Sequence, residues 1–155
     1  MENDDKPAII LIVEDDLVLG RVLARVLRSE TRRTVRVGDS RRVLDLVQAY
    51  QPRLLLLDAQ LRDGTAATLL EALSERHPAL PVILLAAHRL DRSNLRGHAH
   101  RVVTKSISLK ELREFVDGAL GVGTACSRDA TNDPDRVSRP LPSTQLFLHA
   151  VATNR

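Results

Sequence analysis

The sequence predicts an α/β domain built on a doubly wound parallel sheet. Three observations carry that reading. Short, unbroken apolar runs stand at residues 8–13 (AIILIV), 54–57 (LLLL) and 82–87 (VILLAA). A run with no polar position suits a strand buried on both faces. Between the runs, apolar residues recur at helical spacing. Strand and helix signals alternate from residue 8 to residue 121, which calls for parallel strands joined by helices on both faces of the sheet.

The elements follow in order. Pro7 precedes the first strand, which runs into Glu14-Asp15-Asp16. Leu19, Val22, Leu23, Val26 and Leu27 form the stripe of a helix from about Asp16 to Ser29. Residues 34–37 (TVRV) alternate as a short second strand. Asp39 is placed to cap a second helix with Val43, Leu44, Leu46 and Val47 on one face, stopped by Pro52. The third strand is RLLLLDA, followed by a turn at Asp63-Gly64 and a helix carrying Leu69, Leu70 and Leu73 that ends before Pro78. Residues 82–87 are the fourth strand, and residues 88–100 are polar with room for one short helix. Residues 101–104 (RVVT) are the fifth strand. Ser108 and Glu111 form a capping box for a last helix with Leu109, Leu112, Phe115, Val116 and Leu120 inward, closed by Gly121.

Composition bounds the rest. The 155 residues suit one domain with an extra segment. Aromatic residues make up only 2%, so the core is built from Leu, Val, Ile and Ala. A formal charge of +3 falls short of a nucleic-acid footprint. The lone cysteine, Cys126, makes no disulfide framework, which fits a reducing compartment. The acidic start MENDDKP does not resemble a signal peptide, and no apolar run approaches the roughly 20 residues that span a bilayer. The expected setting is the cytoplasm, with no membrane partner. After Gly121 the chain turns rich in Gly, Ser, Thr, Asp and Pro, so residues 1–121 are read as the folded domain and 122–155 as a linker or disordered tail. Within the tail QLFLHAV is one apolar patch, either a loose end or a segment that docks on its own domain or on a partner.

Parallel strands that finish in carboxylates collect those charges at one edge of the sheet. The first strand ends at Glu14-Asp15-Asp16 and the third at Asp58. Anions crowded within a few ångströms repel, so the cluster asks for a cation. Oxygen donors with open positions suit Mg²⁺. For Asp16, helix capping is an equal reading. Lys105 follows the fifth strand and falls on the same edge, able to pair with Asp58 or with an anion attached to it.

These residues resemble the receiver domain of two-component response regulators, the CheY-like superfamily. ILIVEDD resembles the family's first strand and acid pair, LLLLDAQLRDGTA its third strand, and VVTKSISLKEL its lysine motif and last helix. The resemblance covers roughly residues 8–121. It implies a flavodoxin-like fold with strand order 2-1-3-4-5. It implies that Asp58 accepts a phosphoryl group from a phosphohistidine on a sensor histidine kinase or phosphotransfer protein, and that a downstream protein target reads the result. Mg²⁺ would be held by Glu14, Asp15, Asp58 and the backbone carbonyl of Gln60, with Glu14 acting mainly through water on the metal. Lys105 would neutralise the phosphoryl group. No enzymatic activity is implied beyond this self-directed transfer and its reversal by hydrolysis.

The sequence departs from the family at its switch. Ala86 stands where a Thr or Ser hydroxyl is usual, Val102 where an aromatic ring is usual, and Ser106 and Arg62 replace prolines. The alternative is therefore a degenerate pseudo-receiver that works as a phosphorylation-independent interaction module. Arg21, Arg25, Arg28 and Arg32 recur at helical spacing, as a solvated face or as a docking stripe for an acidic partner. His88 follows the fourth strand as a polar loop residue or a neighbour of the pocket, and His98 and His100 lack a third zinc ligand. Aspartyl-nucleophile phosphatases resemble a pattern with a second Asp where Gln60 sits, and a nucleotide site wants glycines where EDDLVLG stands. The segment after Gly121 is too short for a helix-turn-helix module, so no DNA-binding domain is expected. Pairing of two copies through the fourth and fifth helices and the fifth strand is left open.

Overall fold

The computed structural model describes residues 6–62, 66–87 and 101–121. Five strands form one parallel sheet: β1 (Ala8–Val13), β2 (Arg32–Val37), β3 (Leu54–Asp58), β4 (Val82–Ala86) and β5 (Arg101–Thr104). Their order is β2-β1-β3-β4-β5, the predicted 2-1-3-4-5 arrangement. The helices are α1 (Leu17–Leu27), α2 (Val43–Tyr50), α3 (Ala66–Arg76) and α4 (Leu109–Leu120). The short helix expected within 88–100, the Asp63-Gly64 turn, His88, His98, His100, Cys126 and the tail 122–155 lie outside the described residues. Among the described residues no helix is long and apolar enough to cross a membrane.

Strand periodicity splits the core into two layers. Ile10, Ile12, Leu54, Leu56, Ile83, Leu85 and Val103 face α1 and α4, where Leu19, Leu23, Leu112 and Val116 meet them. Leu11, Val13, Leu55, Leu57 and Leu84 face α2 and α3, against Val43, Val47, Leu70 and Leu73. Successive side chains of a strand point to opposite faces, so the unbroken apolar runs are what two covered faces require. The three central strands are buried almost throughout, while the edge strands β2 and β5 carry exposed positions.

Local chemistry explains the boundaries. Asp16 caps α1 by accepting from the N–H groups of Val18 and Leu19 at 2.8 and 3.0 Å. Its capping reading therefore holds. Asp39 caps a 3₁₀ turn, Ser40–Arg42, rather than α2 itself. The polar Ser40-Arg41-Arg42 has nothing to bury, so the helix proper starts at Val43, the first apolar residue. Ser108 and Glu111 make the capping box in full, and Gly121 closes α4 with φ 69°, a left-handed conformation open to glycine.

Strand β2 begins two residues before the predicted start. Arg32 pairs with Ala8 in the ladder, and its guanidinium donates to Ser29 Oγ and to the Asp117 carboxylate of α4. Arg32 is buried and leaves the arginine stripe, of which Arg21, Arg25 and Arg28 are exposed. A local pattern of basic residues carries no trace of a carboxylate on a distant helix.

Candidate functional site

The same alternation aims the charged residues. Ile10, Ile12 and Glu14 share one parity along β1, Leu54, Leu56 and Asp58 along β3, and Val103 and Lys105 along β5. The ladder carries past the strand ends: Glu14 N–H donates to Val37 O, Ala59 N–H to Leu85 O and Lys105 N–H to Ala86 O. Three side chains thus leave the sheet on one side at its carboxyl edge, where strand order reverses between β1 and β3. Such edges are where open α/β sheets place their ligands.

The charged groups meet there. Lys105 Nζ lies 3.1 Å from Glu14 Oε2 and 2.9 Å from Asp58 Oδ2. The first contact is a hydrogen bond. The second is an ion pair whose geometry is not that of a hydrogen bond. Glu14 and Asp58 are each 1% exposed and Lys105 6%. Asp58 Oδ1 accepts from the Gln60 N–H at 3.0 Å, and Glu14 Oε1 accepts from the Asp16 N–H at 3.0 Å. Asp15 joins from the loop after β1, with its Oδ2 3.1 Å from Arg62 Nε. One ligand atom each from Glu14, Asp15 and Asp58 lies within 4.8 Å of the others. Burial first, and then the negative Asp58 beside it, push the Glu14 carboxyl up from 4.5 to about 7, against the opposing pull of Lys105 and the Asp16 N–H.

Sequence reasoning brought Glu14, Asp15, Asp58 and Lys105 to this edge, and the structure brings them together. Gln60 enters through its N–H. Ala86 is fully buried, and Val102 packs on the layer under α2 and α3. Two things were missed. Lys105 holds both acids rather than Asp58 alone, and Arg62, noted only as a lost proline, ion-pairs with Asp15. Its place in the loop after β3, at an edge crowded with acids, was the available signal. A cavity of about 660 Å³ lies elsewhere. Arg53, Arg76, Pro81 and Leu120 line it where β3 and β4 begin, and none of the clustered acids takes part.

A five-stranded parallel sheet with a buried lysine bridging carboxylates at its carboxyl edge defines the class of CheY-like receiver folds. Residues 10–117 match the family model for the response regulator receiver domain, and the chain belongs to that family. It is 32% identical over 134 residues to the response regulator protein PilR of Pseudomonas aeruginosa, covering 84% of this chain and 28% of that one. It is 34% identical over 112 residues to the DNA-binding transcriptional regulator NtrC of Klebsiella pneumoniae, covering 70% and 24%. The crystal structure of a CheY-like receiver domain from Methanospirillum hungatei superposes with a TM-score of 0.69 at 21% identity, covering 76% of this chain and 96% of that one. The chain therefore spans about a quarter of those two regulators.

That span overturns one expectation. The short segment after Gly121 was read as excluding a DNA-binding domain. Relatives such as NtrC are DNA-binding regulators, and this chain matches only their receiver portion. A receiver's own residues carry no record of what is joined to it, so the exclusion does not stand.

Proposed function

We propose that the domain accepts a phosphoryl group on Asp58 from the phosphohistidine of a partner protein and signals through protein contacts. The observation that carries this reading is the buried Lys105 ammonium, 2.9 Å from the Asp58 carboxylate and flanked by Glu14. An Asp58 oxygen forms the new P–O bond as the N–P bond of the donor breaks. The imidazole leaves with the N–P electron pair and takes up a proton from solvent, and Asp58 becomes an acyl phosphate. Attacking and transferred groups are both anionic, so the step depends on positive charge held in place beforehand. Lys105 provides one such charge at a fixed position.

The clustered carboxylates, with hard oxygens within 4.8 Å, fit a small divalent cation. Mg²⁺ held by Asp15, Asp58 and the Gln60 carbonyl would supply the further positive charge that draws phosphoryl and carboxylate together. With no disulfide framework available to the lone Cys126, the proposed setting is the cytoplasm.

The pseudo-receiver reading rests on two observations. Ala86 offers no hydroxyl to a phosphoryl oxygen, and Asp58 is 1% exposed. One experiment separates the two. The chain is incubated with Mg²⁺ and acetyl phosphate and its intact mass recorded. The relay reading expects one added phosphoryl group, absent in Asp58→Asn. No uptake, under conditions that label an ordinary receiver, refutes it and leaves the interaction module.

A further inference from the structure

Lys105 and Arg62 both touch the acid cluster, and they differ in freedom. Lys105 is 6% exposed and held by two carboxylates. Arg62 has a side chain that is 73% exposed, yet its Nε lies 3.1 Å from an oxygen of Asp15, whose own side chain is only 8% exposed. Its guanidinium thus reaches from solvent onto a nearly buried carboxylate. That carboxylate belongs to the set whose oxygens lie close enough together to share one metal ion.

On the strength of the function proposed above, we infer that Arg62 is a built-in competitor for the divalent-cation position. It neutralises Asp15 while no metal is bound, and it swings away when a metal ion takes the Asp15 oxygen. Three points support this. A guanidinium and a metal ion that draw on one carboxylate oxygen repel each other, so each weakens the other's hold. Most of the Arg62 side chain is in solvent, so it leaves without opening the core. An exposed arginine paired with a carboxylate adds little to folding stability, so its effect falls on the occupancy of the site. Lys105, locked between Glu14 and Asp58, cannot act in this way. Arg62 would thereby raise the Mg²⁺ concentration at which Asp58 becomes competent. Because the pair is open to solvent on the arginine side, monovalent salt screens it and relieves the competition.

The test is direct Mg²⁺ binding to the full chain by titration calorimetry, without a phosphodonor and at low ionic strength. Arg62→Gln is expected to lower the dissociation constant about two- to fivefold. Arg62→Lys, which keeps the charge but not the planar fork, is expected to fall between. The gap between wild type and Arg62→Gln is expected to narrow at high salt. Thermal unfolding checks that the exposed substitutions leave the fold intact. Equal or weaker Mg²⁺ binding by Arg62→Gln overturns this inference alone and leaves the phosphoacceptor reading standing. No measurable binding to any of the three proteins overturns both the inference and the metal-assisted reading.

Discussion

Glu14 should make the stability of this domain fall as pH rises, and Glu14→Gln should remove that fall. Burial and the neighbouring Asp58 push the Glu14 carboxyl up from 4.5 to about 7 in the folded chain. Between those values the folded state binds a proton that the unfolded state has released. Stability therefore decreases with pH across this window. The contribution is fully present below 4.5 and is lost as pH rises through about 7. At about 1.36 kcal/mol per pH unit, the whole window amounts to about 3 kcal/mol. Other carboxylates titrate nearby, so the quantity to follow is the stability difference between wild type and Glu14→Gln. Glutamine keeps the size and the acceptor toward the Asp16 N–H but cannot titrate. With no tryptophan and a single tyrosine, unfolding is best followed by far-UV circular dichroism. Urea curves at pH 4.5, 6 and 7.5, with chelator present, should show wild type losing about 3 kcal/mol relative to the variant. Asp58→Asn removes the second cause of the shift, so its transition should move to lower pH. Parallel pH profiles for wild type and Glu14→Gln would refute the account of the pocket as a buried site crowded with like charges.

The buried Arg32–Asp117 pair should respond asymmetrically. Asp117→Ala strands a guanidinium whose side chain is 5% exposed and should cost about 3 kcal/mol, whereas Arg32→Met leaves a carboxylate that reaches water and should cost about 1 kcal/mol or less; equal losses in urea denaturation would contradict this. Leu56, fully buried at the centre of the layer under α1 and α4, should cost about 2–5 kcal/mol on truncation to alanine, and a loss below about 1 kcal/mol would argue against the two-layer core.

What was legible in the sequence was what repeats locally. The strands at 54–58, 82–86 and 101–104 came from apolar runs and their punctuation, and the bounds of α4 from Ser108, Glu111 and Gly121. Glu14, Asp15, Asp58 and Lys105 were legible because parallel strands place their carboxyl ends along one edge. What could not be read was which distant groups complete each other. Arg32 and Asp117 lie 85 residues apart, and Glu14 and Lys105 lie 91 apart. A basic residue bound for burial looks the same in sequence as one bound for solvent. Arg32 was misread for that reason, while Arg62, exposed but paired with Asp15, was noted only as a replaced proline.

The tetraleucine run that ends in Asp58 is explained by the two layers. Leu54 and Leu56 feed one face of the sheet, Leu55 and Leu57 the other, and Asp58 takes the next place on the first. In mid-sheet that place would be filled by another aliphatic side chain. At the carboxyl edge the connections from β1 and β3 depart toward opposite ends of the sheet, since β1 continues to β2 and β3 to β4. Their divergence opens a crevice that apolar groups do not fill. A carboxylate there is held rigidly by strands packed on both sides, yet it is pressed close to Glu14, with Lys105 paired to both. Rigid leucines thus keep like charges from separating, which is why a further cation arriving there would be attracted to them.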